Sequence, residues 1–82
     1  VSAKVTLYGR PGCHLCDEAE ARLRAIAPQA ELELINIEED EELHARYLEV
    51  IPVICVGEEQ LAQLVQYRRP SFEQALLARL YG

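Results

Sequence analysis

Two cysteines, Cys13 and Cys16, stand three positions apart in the stretch Tyr8-Gly9-Arg10-Pro11-Gly12-Cys13-His14-Leu15-Cys16. A strand-like run enters this stretch and a helix-like run leaves it. On a helix that spacing puts both side chains on one face. Sulfurs that close form a disulfide where local geometry allows it. A Cys-x-x-Cys pair beside a β-α-β pattern is a dithiol–disulfide redox motif. Exchange needs a thiolate, because the protonated thiol is a poor nucleophile. Cys13 is expected at or just before the first turn of its helix. Free backbone N–H groups and the positive end of the helix dipole favour negative sulfur there. Arg10 and His14 add positive charge, while Asp17, Glu18 and Glu20 oppose it. Cys13 is therefore expected to ionise readily. Cys16, one turn deeper, is expected to resolve the mixed disulfide that Cys13 forms with a substrate.

Other readings of these side chains stay open. Zinc takes four ligands, and only Cys55, His14 and His44 are left to complete a set, none with finger-like spacing. A metal site and an accidental pair are the alternatives to redox chemistry, and no metal is expected. His14 either tunes the thiolate, since histidine titrates near neutral pH, or is an exposed helix-start residue. Cys55 lies in an apolar run, where a buried small hydrophobe is the plain reading and a regulatory thiol the other.

The elements around these residues follow from periodicity. Lys4 to Tyr8 alternates Val5 and Leu7 with Thr6 and Tyr8, the period of a strand. Gly9 and Pro11-Gly12 end it. Cys13 to Ala27 is helical, with Leu15, Ala19, Leu23 and Ile26 on one face and the pairs Glu18/Arg22 and Glu20/Arg24 on the other. Pro28 stops this helix. Leu32 to Ile37 reads as a second strand, parallel to the first through a right-handed crossover. Asp40 is the expected cap of a short helix through Leu48, with Leu43 and Tyr47 inward and Glu42/Arg46 paired on its surface. Ile51 to Val56 reads as a central strand, with Pro52 confined to its start. Gly57-Glu58-Glu59 is a hairpin tip, and Gln60 to Val65 the returning strand. Pro70 and Ser71 open a last helix, with Ser71 and Gln74 forming a capping box and Phe72, Ala75, Leu76 and Leu80 facing inward.

An 82-residue chain of this order is one α/β domain, residues 1–82. No apolar run approaches the roughly 20 residues of a membrane span, so no membrane association is expected. Val1-Ser2-Ala3-Lys4 leads straight into the strand, so no signal peptide is expected. The chain contains no Met, and an initiator residue is expected to be missing from its start. The net charge of −6, with Lys4 the only lysine, leaves no basic stripe for nucleic acid. Three cysteines are an odd number for a secreted disulfide scaffold. A reducing compartment, hence the cytoplasm, is expected.

Leu7-Tyr8-Gly9-Arg10-Pro11-Gly12-Cys13-His14-Leu15-Cys16 followed by Asp17-Glu18-Ala19 resembles the start of the short bacterial glutaredoxin-like proteins, of the thioredoxin superfamily. Ile51-Pro52-Val53 resembles their second hallmark, the proline that faces the cysteines. The resemblance covers nearly the whole chain in element order and weakens after Gly57. It implies a thioredoxin-like fold, β-α-β-α-β-β-α, with a four-stranded mixed sheet and helices on both faces. It implies a cis Ile51–Pro52 bond, with the Ile51 backbone beside Cys13 and ready to pair with an extended substrate. It implies that Arg10 helps to hold the glycine carboxylate of glutathione, against the plain reading of a solvated loop arginine.

The family's Gly-Gly turn and following Asp are missing; this chain has Leu64-Val65-Gln66-Tyr67-Arg68-Arg69-Pro70-Ser71 there. The Ser71 helix start, with Arg68 or Arg69, is the alternative seat for a carboxylate. Tyr8 and Tyr67 either line a groove or pack in the core. The Trp before the motif and the Gly-Pro within it that mark thioredoxin proper are absent.

The function expected is a monomeric thiol–disulfide oxidoreductase with Cys13 and Cys16 catalytic and Arg10, His14, Ile51 and Pro52 contacting substrate. It needs no bound cofactor. Its partners are a disulfide-containing protein or glutathione as co-substrate, with glutathione or a flavoprotein reductase as donor. The competing expectation is a non-enzymatic thiol module that binds a metal or iron–sulfur cluster through Cys13.

Overall fold

The computed structural model describes residues 4–82; residues 1–3, and with them the reading of the chain's start, lie outside the described residues. The elements run β1 (Val5–Gly9), α1 (His14–Ile26), β2 (Leu32–Asn36), α2 (Glu41–Tyr47), β3 (Val53–Val56), β4 (Glu59–Gln63) and α3 (Pro70–Tyr81). Short 3-10 turns at Ile37–Glu39 and Leu64–Arg68 join β2 to α2 and β4 to α3. The sheet order is β2-β1-β3-β4. β1 pairs parallel with β2 and antiparallel with β3, which pairs antiparallel with β4. This is the expected mixed four-stranded sheet.

Alternation along β1 divides the core. Val5 and Leu7, with Ile54, Val56 and Ala62, pack against Ala19, Leu23 and Ala27 from the α1 side and Phe72, Leu76 and Leu80 of α3. Tyr67 is wholly buried in the same cluster. Tyr8, out of phase with Val5 and Leu7, turns to the other side and meets Tyr47 of α2 at 4.8 Å between ring centroids. Ile37 and Ile51 form a second, smaller cluster that also takes in Cys16 from the start of α1, flanked by Tyr8, Cys13, Leu43 and Tyr47. So α1 and α3 cover one face and α2 the other.

Local chemistry fixes the element ends. Asp40 caps α2, its Oδ1 accepting from the N–H groups of Glu42 at 2.9 Å and Leu43 at 3.1 Å. β2 stops at Asn36 rather than Ile37, because the Asn36 side chain accepts from the Glu38 N–H at 2.9 Å and draws the chain into a 3-10 turn. β4 stops at Gln63 rather than Val65. Leu64 takes φ +55° and donates its N–H to the carbonyls of Val50 and Pro52, at 3.1 and 3.0 Å. That turns the chain off the ladder.

The last helix starts differently from the Ser71 reading. Arg69 is its N-cap and Pro70 the first helical residue, where a missing N–H costs nothing. Ser71 is thus already inside the first turn. The inward line of α1 is Cys16, Ala19 and Leu23, followed by Ala27 at its C-cap; Leu15 and Ile26 flank it half-buried.

Candidate functional site

Pro11 and Gly12 turn the chain out of β1, with Gly12 at φ +78°, a left-handed conformation that glycine adopts without steric cost. The turn closes where the Cys13 N–H donates to the Arg10 carbonyl at 3.3 Å. Cys13 is then the N-cap of α1, with extended backbone. Its Sγ accepts from the Cys16 N–H at 3.1 Å, in the place of a capping oxygen. A free amide at the positive helix end thus points at this sulfur.

Cys13 and Cys16 are joined by a disulfide, with Cα atoms 5.2 Å apart. The two are unequally placed. Cys13 is half-exposed and Cys16 is buried at 6% exposure. A solute meets Cys13 first.

The other residues singled out by sequence take the following places. The Ile51–Pro52 peptide bond is cis. Ile51 is buried in the cluster that holds Cys16 and packs Cys13, and Pro52 is fully buried beside it in the chain. His14 is the first residue of α1 and is exposed. Arg10 is exposed, with Nη1 3.9 Å from Glu38 Oε2. The structure therefore gathers Cys13, Cys16 and Ile51, and leaves Arg10 and His14 on the open rim.

Tyr8 and Tyr67 both pack, Tyr8 against Tyr47 and Tyr67 in the main core. Burial pushes both phenols above the ordinary tyrosine range. Cys55 is buried on β3, and desolvation pushes its thiol up as well. Among the described residues no group of three or more His, Cys, Asp or Glu side chains is placed to hold a metal ion. No described helix is long and apolar enough to cross a membrane.

Three features escaped the sequence reading. Glu18 does not pair with Arg22; it is held by Arg68, Nε to Oε2 at 2.6 Å and Nη2 to Oε1 at 2.8 Å. Arg22 instead donates to the Tyr67 carbonyl at 2.8 Å. Helical spacing shows which partners lie on the same helix and is blind to one brought in by the fold. The second feature is a cavity of about 220 Å³ on the Cys16 side of the pair, between α1 and the β2 edge. Leu7, Gly9, Cys16, Asp17 and Leu34 line it. The third is Gly9, which packs directly against Cys16. It had a sequence signal: Val5, Leu7 and Gly9 share one parity of β1, so Gly9 is a core position without a side chain.

Comparison with known proteins agrees with this geometry. The model of the family described as "Glutaredoxin-like domain (DUF836)" matches residues 4–80. The solution structure of protein Ne2328 from Nitrosomonas europaea is similar with a TM-score of 0.75 and 34% identity, over 98% of this chain and 93% of that one. The X-ray structure of protein XcR50 from X. campestris is similar with a TM-score of 0.55 and 38% identity, over 61% of this chain and 65% of that one. No curated protein matches the chain.

Proposed function

Starting from a chain that belongs to the glutaredoxin-like domain family (DUF836), we propose that it is a thiol–disulfide oxidoreductase working through the Cys13–Cys16 couple. One observation carries the reading: the two sulfurs are bonded at a helix N-terminus, with Cys13 open to solvent and Cys16 behind it.

In the reduced protein the Cys13 thiolate attacks one sulfur of a substrate disulfide. A Cys13–substrate bond forms, the substrate S–S bond breaks, and one substrate thiolate leaves. The Cys16 thiolate then attacks the Cys13 sulfur and expels the second. The substrate has gained two electrons and the protein holds the disulfide. Two thiols from a donor reverse the change.

The Cys16 N–H that already bonds Cys13 Sγ stabilises the thiolate at the first step. The Ile51 backbone, before the cis Pro52, offers an extended substrate a partner near the attacking sulfur. On the open rim Arg10, in only a long and exposed contact with Glu38, and His14 would meet an anionic group of the substrate, the carboxylates of glutathione included. The substrate class is a protein disulfide or a glutathione mixed disulfide. A reducing compartment suits such a couple, and no bound cofactor is needed.

A redox titration in glutathione buffers, read by mass spectrometry, tests the proposal. The expected result is a two-electron interconversion confined to Cys13 and Cys16. A glutathione mixed-disulfide assay on wild type and Cys16→Ser then divides the routes: a route using Cys13 alone survives the change, a dithiol route is lost. A protein whose Cys13 and Cys16 never exchange with glutathione, or that carries stoichiometric metal or an iron–sulfur cluster on Cys13, sinks the reading.

A further inference from the structure

Gly9 closes β1, paired with Asn36 of β2 and buried. Its backbone is not left-handed, unlike that of Gly12 and Gly57, so no conformational need reserves the position for glycine. Space does. A Cβ built on Gly9 stands 2.9 Å from Cys16 Sγ and 3.1 Å from Cys16 Cβ. On Gly12 and Gly57 the same atom meets nothing within 4 Å. Sulfur and carbon in van der Waals contact need more room than the first of these distances gives, so a side chain at position 9 displaces one of its neighbours.

We infer that Gly9 is a positioning residue for the Cys13–Cys16 couple, its bare backbone being the seat of the Cys16 sulfur in the disulfide. The inference rests on the redox reading above and deepens it. In the disulfide, Cys16 Sγ is tied toward Cys13 and cannot turn away from position 9. In the dithiol it is free, and a helical cysteine has a second staggered χ1 well open to it. A methyl group at position 9 therefore penalises the disulfide more than the dithiol. Oxidised protein must move α1 off β1 to clear both atoms, whereas reduced protein clears the closer Sγ contact by turning one bond and keeps only the 3.1 Å contact with Cys16 Cβ, which α1 accommodates by a few tenths of an ångström.

The equilibrium to measure is dithiol plus glutathione disulfide against protein disulfide plus two glutathiones. One S–S bond breaks and one forms, two electrons pass from the protein to glutathione, and the two thiol protons follow. Gly9→Ala is expected to lower the constant for protein disulfide formation about tenfold, a rise in potential of about 30 mV. By the same thermodynamic cycle, the denaturation midpoint of the oxidised variant falls further below wild type than that of the reduced variant.

A residue that only packs α1 against β1 would lower both midpoints alike and leave the constant unchanged; that result overturns the inference. A constant that rises overturns it too. Should Gly9→Ala fail to fold in either state, the substitution is repeated in a Cys16→Ala background, where the sulfur is gone. Recovery of folding there supports the Gly9–Cys16 contact, and equal failure rejects it. If wild type shows no exchange with glutathione, the redox reading has failed. The coupling of positions 9 and 16 is still read independently from the four stabilities of the double-mutant cycle.

Discussion

Arg68 reaches back 50 positions to grip Glu18 with two hydrogen bonds, joining the 3-10 turn after β4 to the first turns of α1. The pair is a two-pronged guanidinium–carboxylate contact, the strongest geometry such groups adopt. Hydrogen bonding from Arg68 holds the Glu18 carboxyl below the usual carboxylate range. A depressed acid stabilises the fold above its unfolded pKa and loses that contribution as pH falls through the folded one. Melting temperature followed from neutral pH into acid should therefore fall in wild type and fall less steeply in Glu18→Gln. Arg68→Lys should retain only part of the effect, because a single ammonium cannot reproduce the fork. Equal acid limbs for wild type and Glu18→Gln would show that the pair is too well solvated to matter.

Leu64 is a leucine in a left-handed conformation, at φ +55°. For a residue with a Cβ this conformation costs roughly 1–2 kcal/mol. Leu64→Gly removes that cost and gives back a similar amount as unfolded-chain entropy, so its stability should lie within about 1 kcal/mol of wild type. Leu64→Val should destabilise, since a β-branched side chain fits this region worse. Leu64→Pro should be worst, losing the N–H shared by Val50 and Pro52 and forcing φ negative. Urea denaturation of the three variants reads the order. A large loss in Leu64→Gly would mean that the exposed side chain packs more than its surroundings suggest.

The fold was legible where periodicity and punctuation agree. Val5 and Leu7 alternate, Pro28 follows α1, Asp40 precedes α2, and Pro70 opens α3. It was illegible where distant segments decide a local matter. Leu64 and Val65 look like strand residues, and only the carbonyls of Val50 and Pro52 turn Leu64 out of β4. Glu18 and Arg22 stand at helical spacing, yet a bidentate partner from another element takes the carboxylate. In the site, the cysteine pair was plain because its signal is local. The burial of Cys16 against Gly9 was hidden because it depends on how closely α1 settles on β1.

Tyr67 carries its hydroxyl into the core, where Tyr67 Oη is buried without a hydrogen bond of good geometry. It lies close enough to the Glu18–Arg68 pair for both charges to act on it. An unpaired buried hydroxyl costs free energy, so removing it is cheap. Tyr67→Phe should leave stability within about 0.5 kcal/mol of wild type or raise it, while Tyr67→Ala should lose roughly 3–5 kcal/mol to the cavity. Chemical denaturation distinguishes these. A loss above about 1 kcal/mol in Tyr67→Phe would mean that the hydroxyl does bond to that pair.

Cys55 is buried on β3, and burial pushes its thiol up, so little of it is thiolate at neutral pH. In reduced protein, alkylation followed by mass spectrometry should mark Cys13 first. Cys55 should react only under denaturing conditions or at alkaline pH. Cys55→Ala should leave the glutathione titration of Cys13 and Cys16 unchanged. Modification of Cys55 alongside Cys13 in native buffer would reopen a reactive role for it.

Asp40 controls the helix that covers the second cluster. Its Oδ1 accepts two of the orphan N–H groups of α2, from Glu42 and Leu43. α2 is only seven residues long, too short to hold together on propensity, so cap and packing must do it. Its inward residues Leu43 and Tyr47 lie over Cys16, Ile37 and Ile51, the cluster behind the disulfide. Asp40→Ala should cost roughly 0.5–2 kcal/mol, and Asp40→Asn or Asp40→Ser much less, because each keeps an acceptor oxygen. Amide exchange should rise first in α2 and at the start of α1, while the β1–β3 ladder stays protected. Opening α2 also lets water toward Cys16, so the reduced Cys16 thiol should alkylate faster in Asp40→Ala than in wild type at equal pH. Unchanged exchange and alkylation in a variant that has lost global stability would show that α2 opens only with the whole fold.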